Sequence, residues 1–191
     1  MKNIVVAVTG ASGIILGKRL VEFLKSKENK KDFYIHLIVS KTAKEIAGYE
    51  GVSLQGITKL ADEVHDEEDL NANISSSSYK VDAMAVVPCS MKTLAAIANG
   101  LGDNLVSRTA ENMLKMNRRL VVAPRDTPLS LADIENMAKL KKAGAIIAPP
   151  NMAYYYIPRT VEEVTDFFVG KTLDCLEIEH KLYKKWCGVT K

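Results

Sequence analysis

Ala83-Met84-Ala85-Val86-Val87-Pro88-Cys89-Ser90-Met91-Lys92-Thr93-Leu94-Ala95-Ala96-Ile97-Ala98 opens the stretch, reaching to Leu129, on which the reading of this chain turns. The apolar run Ala83–Val87, stopped by Pro88, has the length and composition of a buried strand. The alanine-rich segment after Thr93 favours a helix. Ser90, Met91, Lys92 and Thr93 therefore fall where a strand hands over to a helix. Free backbone N–H groups and the positive end of the helix dipole meet there, which suits an anion such as phosphate. The pattern recurs downstream. Leu120-Val121-Val122-Ala123 is a second apolar run, and it ends in Pro124-Arg125-Asp126-Thr127-Pro128-Leu129. Ligands of open α/β sheets sit at strand carboxyl ends, so two such polar ends imply one shared crevice.

Outward from this centre, strand and helix signals alternate. Asn3–Val8 reads as the first strand, Thr9-Gly10-Ala11-Ser12-Gly13 as a tight turn, and Ile14–Lys27 as an amphipathic helix. The glycines let backbone approach a phosphate or a flat ring closely. Phe33–Val39 reads as the second strand, ending at Ser40, with His36 mid-strand as a packed or surface histidine rather than a catalyst. Short helices are expected over Thr42–Tyr49 and Ser53–Leu60, and His65–Asp69 reads as a solvated acidic loop without metal-ligand spacing. The serines at 75–78 read either as a flexible connection or as hydroxyls lining a polar pocket. Leu105–Met116 is a helix with Arg108 and Lys115 two turns apart on one face. Ser130–Lys142 is another, with Leu131, Ile134, Met137 and Leu140 at core spacing. Ala145–Ala148 is the last strand, followed by Tyr154-Tyr155-Tyr156, a π-rich wall or an interface. Thr160 and Glu163 form the signature of a capping box for a helix reaching about Leu176 and carrying Lys171.

The order implies a doubly wound α/β sandwich with a mainly parallel sheet, in one domain over 1–191. A net charge of +3 is too small to suggest nucleic acid, and no apolar run approaches a membrane span. Cys89, Cys175 and Cys187 are odd in number and lack metal-ligand spacing. They read as reduced thiols of a cytoplasmic protein without a signal peptide. The Thr9–Gly13 turn also resembles that of short-chain dehydrogenases. Against a nicotinamide dinucleotide stand the missing acidic residue after the second strand and the absence of any Tyr-x-x-x-Lys pair.

Several ordered motifs carry a more specific resemblance. Pro88-Cys89-Ser90-Met91-Lys92-Thr93-Leu94, Asp103-Asn104-Leu105 with Arg108, Leu114-Lys115, Arg118-Arg119-Leu120-Val121 and Arg125-Asp126-Thr127-Pro128-Leu129 are similar to the UbiX-type flavin prenyltransferases, from Met1 to about Trp186. The resemblance implies a Rossmann/flavodoxin-like flavoprotein. Such an enzyme joins a dimethylallyl group from dimethylallyl phosphate to N5 and C6 of reduced FMN, without metal. It implies flavin contacts from Gly10, Ala11, Ser12, Ser40, Ser90, Met91, Lys92, Thr93 and Arg125. It implies phosphate contacts from Arg108, Lys115, Tyr155 and Lys171, and catalytic positions at Glu50, Ser12, Lys115 and Asp126. It implies a homo-oligomer, by family habit a dodecamer, with the helix 160–176 and tail 177–191 at subunit contacts. The product would pass to a UbiD-type decarboxylase. Asp126 stands where many members have Glu, and Lys171 where many have Arg, which keeps the charge but loses the bidentate fork. Two rivals remain: a non-catalytic FMN-binding small subunit and an FMN-dependent cysteine decarboxylase. The contexts of His36, His65 and His180 lack the catalytic histidine pattern of the latter.

Overall fold

The structure is a computed structural model that describes residues 1–186. Six parallel strands form one sheet, β1 (Lys2–Val8), β2 (Phe33–Val39), β3 (Glu63–His65), β4 (Ala83–Cys89), β5 (Arg119–Pro124) and β6 (Ile146–Ile147), in the order β3-β2-β1-β4-β5-β6. The chain steps outward from β1 to β3, returns to the centre, and steps outward again from β4 to β6. The reversal between β1 and β4 splays the following connections to opposite sides and opens a crevice above their carboxyl ends. The central strands are buried on both faces, and one apolar layer packs on each side of the sheet. That is why they read as unbroken apolar runs rather than alternating ones.

The helices are α1 (Ile14–Leu24), α2 (Lys41–Tyr49), α3 (Gln55–Leu60), α4 (Met91–Ala98), α5 (Leu105–Lys115), α6 (Leu131–Lys142) and α7 (Val161–Cys175). Gly17 brings α1 against the sheet. A Cβ at that position would lie 2.5 Å from the Val87 carbonyl oxygen and 2.6 Å from a Val8 methyl.

Four expectations change. Pro88 does not end its strand. Pairing continues to Cys89, with two residues of β4, Val87 and Pro88, set against one of β5, Ala123, between the paired positions Val86 and Cys89. Proline has no N–H for a ladder, and a bulge is where a sheet accommodates one. His65, the first residue of the expected acidic loop, is instead the last residue of the edge strand β3. On α6 only Leu140 of the expected core stripe is buried, while Leu131 and Ile134 are exposed. At α7, Thr160 Oγ1 accepts from the Glu163 N–H, but the Glu163 carboxylate accepts from Arg159 rather than from Thr160, so the box is not reciprocal.

The serine segment is not a loose connection. Asn73–Ser75 is a 3-10 turn, and its carbonyls are used: Ile74 O accepts from Thr109, and Ser75 O from Asn112 and Arg108. Arg118 donates to the carbonyls of Tyr79 and Ser77. The segment is strapped along α5 by main-chain acceptors, which the residue types alone do not reveal.

Candidate active site

Thr9, just beyond β1, ties the two central strand ends together. Its hydroxyl donates to the Pro88 carbonyl at 2.9 Å and accepts from the Ser90 N–H at 2.8 Å. This fixes where α4 begins. Ser90 Oγ then accepts from the Thr93 N–H at 3.2 Å and lies 3.0 Å from Thr93 Oγ1, capping α4. Ser40 does the same for α2, accepting from the Ala43 N–H at 3.1 Å. Beyond β5, the Arg125 N–H donates to the Cys89 carbonyl at 3.1 Å, which sets Arg125 beside the end of β4. A crevice of about 380 Å³ results, lined by Gly10, Ser40, Lys41, Ser90, Lys92 and Thr93 among others.

The N-termini of α1, α2 and α4 point toward this end of the sheet, and they are not alike. The carboxylate of Glu50 accepts from the N–H groups of Gly13 at 2.7 Å and Ile14 at 3.0 Å, so α1 already holds an anion. The glycine turn expected to cradle a phosphate is therefore closed from the helix side by an acid of this chain. At α2 the Lys41 N–H donates to Glu67 Oε1 at 2.5 Å. Glu67 also accepts the Leu105 N–H on its main-chain oxygen, and it lines the crevice together with Glu68, while Asp66, Glu68 and Asp69 are exposed as expected. At α4 the N–H groups of Met91 and Lys92 meet no acceptor among the described residues. Two unsatisfied donors at a helix N-terminus, beside the Lys92 ammonium, make an anion site.

The cations expected to hold a second phosphate stand elsewhere. Arg108 and Lys115 share one face of α5, as their spacing implies, and both converge on Glu111. Lys115 Nζ lies 2.6 Å from one carboxylate oxygen and Arg108 Nη1 3.4 Å from the other. The Lys115 hydrogen bond holds the Glu111 carboxyl below the usual glutamate range. Glu111 was missed in the sequence although its i+3 and i−4 offsets from the two cations mark it. Arg108 Nε also donates to Ser75 O at 3.3 Å.

Tyr155 and Lys171 belong to an aromatic cluster on α7. Lys171 Nζ stands 4.9 Å from the Tyr183 ring centre and 5.6 Å from that of Phe167. The Tyr155 ring packs edge-on to Tyr156, Phe167 and Trp186. No hydrogen bond or ion pair among the described residues joins the α5 pair to the α7 pair. Ser12, Arg125 and Asp126 are exposed at the crevice end of the sheet, while Ala11 is buried. Asp126 accepts from the Thr127 N–H. Cys89 is buried, and burial pushes its thiol far up, away from reactivity. Cys187 lies outside the described residues.

A larger hollow, about 1030 Å³, opens at the opposite edge, between the strand starts at Lys2 and Phe33 and the segment 177–182. No helix N-terminus that follows a sheet strand faces it, and none of the expected site residues lines it. The expected flavin-contact residues Gly10, Ser40, Ser90, Lys92 and Thr93 line the smaller crevice.

Residues 1–173 match the Flavoprotein family, so the class of protein is that of the flavoproteins. More narrowly, the chain is 42% identical over 191 residues to the flavin prenyltransferase UbiX of Saccharolobus solfataricus, covering 98% of this chain and 93% of that one. It superimposes on AnUbiX, crystallised with FMN and dimethylallyl pyrophosphate, with a TM-score of 0.93 at 42% identity over 99% of both chains. A dodecameric FMN-dependent UbiX-like decarboxylase from Escherichia coli gives a TM-score of 0.92 at 40% identity, covering 97% of this chain and 100% of that one. This chain belongs to the UbiX-type flavin prenyltransferase family. Among the described residues no helix is long and apolar enough to cross a membrane.

Proposed function

We propose that this chain is a flavin prenyltransferase that moves a dimethylallyl group from dimethylallyl phosphate to reduced FMN, for use by a UbiD-type decarboxylase. The observation that carries the reading is the open N-terminus of α4. Of the N-termini of α1, α2 and α4 it is the one that this chain leaves without an internal anion. The residues there fit FMN. A Cβ on Gly10 would lie 2.6 Å from the Thr42 methyl, so only bare backbone passes along that wall. The hydroxyls of Ser40, Ser90 and Thr93 and the cations Lys92 and Arg125 suit a phosphate ester. Gly10, Ala11 and Ser12 border the flavin, with Met91 donating its N–H.

When bound, reduced FMN supplies the nitrogen and carbon nucleophiles that accept the dimethylallyl group. Arg108, Lys115, Tyr155 and Lys171 hold the phosphate and take up charge as its ester C–O bond breaks. Tyrosine faces shelter the electron-poor allyl group. Glu50, fixed through both carboxylate oxygens, receives a proton at the crevice end of α1, with Ser12 and Asp126 beside it.

A homo-oligomer, dodecameric like the Escherichia coli relative, brings the α5 and α7 groups of different subunits together. Exposed Leu131, Ile134, Tyr154, Ile157, Val161 and Trp186 supply apolar surface for such contacts, with α7 and the tail 177–186 among them; the rest of the expected contact tail, 187–191, lies outside the described residues. The Tyr156 hydroxyl is buried without a partner among the described residues, as expected of a group completed by a neighbour. A cytoplasmic location fits the free thiols of Cys89 and Cys175.

The test is to incubate the purified protein with FMN, a reductant and dimethylallyl phosphate. A flavin heavier by one dimethylallyl unit is the expected product. FMN retained without a change of mass would make the chain a flavin-binding subunit instead.

A further inference from the structure

On the outer side of β2, three ligand-type atoms from two strands converge. His36 is fully buried in β2, and Glu63 and His65 share one face of β3 because strand side chains alternate. His36 Nδ1 lies 3.0 Å from His65 Nε2 and 3.5 Å from Glu63 Oε2, and His65 Nε2 lies 3.4 Å from the same oxygen. A metal with ligands at about 2.0–2.1 Å in tetrahedral array places those ligands roughly 3.3 Å apart. The triangle already has these dimensions. We propose that His36, Glu63 and His65 form a binding site for a divalent transition metal of the zinc class.

The surroundings are those of a built site. Tyr79 OH stands 3.2 Å from His36 Nε2, placed to accept that N–H and leave Nδ1 as the ligating atom. Tyr34 OH donates at 2.7 Å to Glu63 Oε1, the carboxylate oxygen that does not face the histidines. Metal-bound imidazoles and carboxylates are oriented by such outer partners. Two imidazoles with one carboxylate favour zinc, iron, nickel or copper over magnesium or calcium, and three protein ligands leave one position open. Without a cation, three electron-rich atoms crowd one point with a single proton to share. Glu63 is partly exposed and His65 nearly buried, which gives an entry path on the β3 side.

The site would pin a short edge strand. β3 has three residues and little apolar burial of its own. Two positions after His65, Glu67 occupies the N-terminus of α2, so a metal on β3 also steadies the acidic wall of the crevice.

The experiment uses the full chain, stripped with a chelator and re-equilibrated with zinc or cobalt(II). Expected are one metal per chain, a raised melting temperature, and visible cobalt absorption of a low-coordinate N/O site. Tyr79→Phe should weaken binding about 10- to 100-fold. His65→Ala and Glu63→Gln should weaken it further, while FMN retention shows that each variant is folded. Failure of the parent to take up zinc from micromolar solution overturns the proposal. So does uptake that His65→Ala leaves unchanged, which would assign the metal to thiols or scattered surface groups.

Discussion

The crevice above β1 and β4, proposed for the flavin, and the cations of α5 and α7 differ in how complete they are within one chain. At the crevice, Thr9 ties the ends of β1 and β4 together, Ser90 and Ser40 cap α4 and α2, two glutamates close the ends of α1 and α2, and the end of α4 is left open. On α5 and α7, by contrast, Arg108 and Lys115 turn to Glu111, and Lys171 to aromatic rings. In the proposed reaction the flavin must keep one orientation while two bonds form to it, which suits a rigid in-chain cradle. A phosphate that arrives bound to carbon and leaves free needs cations whose present partners are weak enough to give up. Exposed ion pairs of the α5 kind are worth only ~0–1 kcal/mol, so exchanging Glu111 for a phosphate costs little.

Lys115→Ala gives the largest expected effect and tests this division most sharply. Prenyl transfer should fall by about 10²-fold or more, as for removal of a donor to developing oxyanion charge. FMN binding should be unchanged. Single-turnover formation of prenylated flavin, read by mass and absorbance, measures it. A variant that keeps most of its turnover would return Lys115 to a surface ion pair and leave Arg108, Tyr155 and Lys171 to meet the leaving group.

Gly17→Ala attacks the frame of the crevice rather than its donors. The added methyl meets the Val87 carbonyl and a Val8 side chain, both fixed by the central strands. Overpacking of this kind costs about 1–3 kcal/mol. The denaturant midpoint should drop, and FMN retention with it, because α1 carries the turn closed by Glu50. Unaltered stability would show that α1 can shift outward without disturbing the strand ends.

Ser90→Ala removes the α4 cap at about 0.5–2 kcal/mol of stability. It should also weaken FMN more than riboflavin, since riboflavin lacks the phosphate aimed at this helix end. Equal losses for both ligands, measured by fluorescence titration, would place the phosphate elsewhere.

The central strands and the Ser90–Thr93 junction were legible because burial on both faces writes an apolar run into the sequence and proline punctuates it. The edge strand was not. Glu63-Val64-His65 is three residues long and mostly polar, and its meaning depends on His36, which reaches it only through strand pairing. The apolar stripe on α6 was legible as a stripe, but helical spacing cannot say whether this chain or a neighbour covers it. The acids at the helix ends were hidden for another reason. Glu50 meets Gly13 across 37 positions and Glu67 meets Lys41 across 26, and no local pattern records such pairs. Glu111 was within reach, since its offsets from Arg108 and Lys115 are helical neighbours.

The smallest expected effect concerns Glu67, and it separates two meanings of an acid at a ligand crevice. Its carboxylate sits on the Lys41 N–H and lines the same hollow as Ser90 and Lys92. As a strut, it fixes the acidic loop against α2, and removing its charge loosens the wall. As an internal anion, it lowers the positive potential that an incoming phosphate would otherwise meet. A charge at a helix N-terminus is worth about 0.3–1 kcal/mol, so Glu67→Gln should change FMN affinity by only about two- to fivefold. The geometry favours an increase, because the side-chain amide of the variant keeps an oxygen for the Lys41 N–H while the charge facing the phosphate is gone. Riboflavin should bind as before, and the gain should shrink at high salt, where exposed charges are screened. A fall in affinity for both flavins would identify Glu67 as the strut, and the open end of α4 would then owe nothing to the acids closing its neighbours.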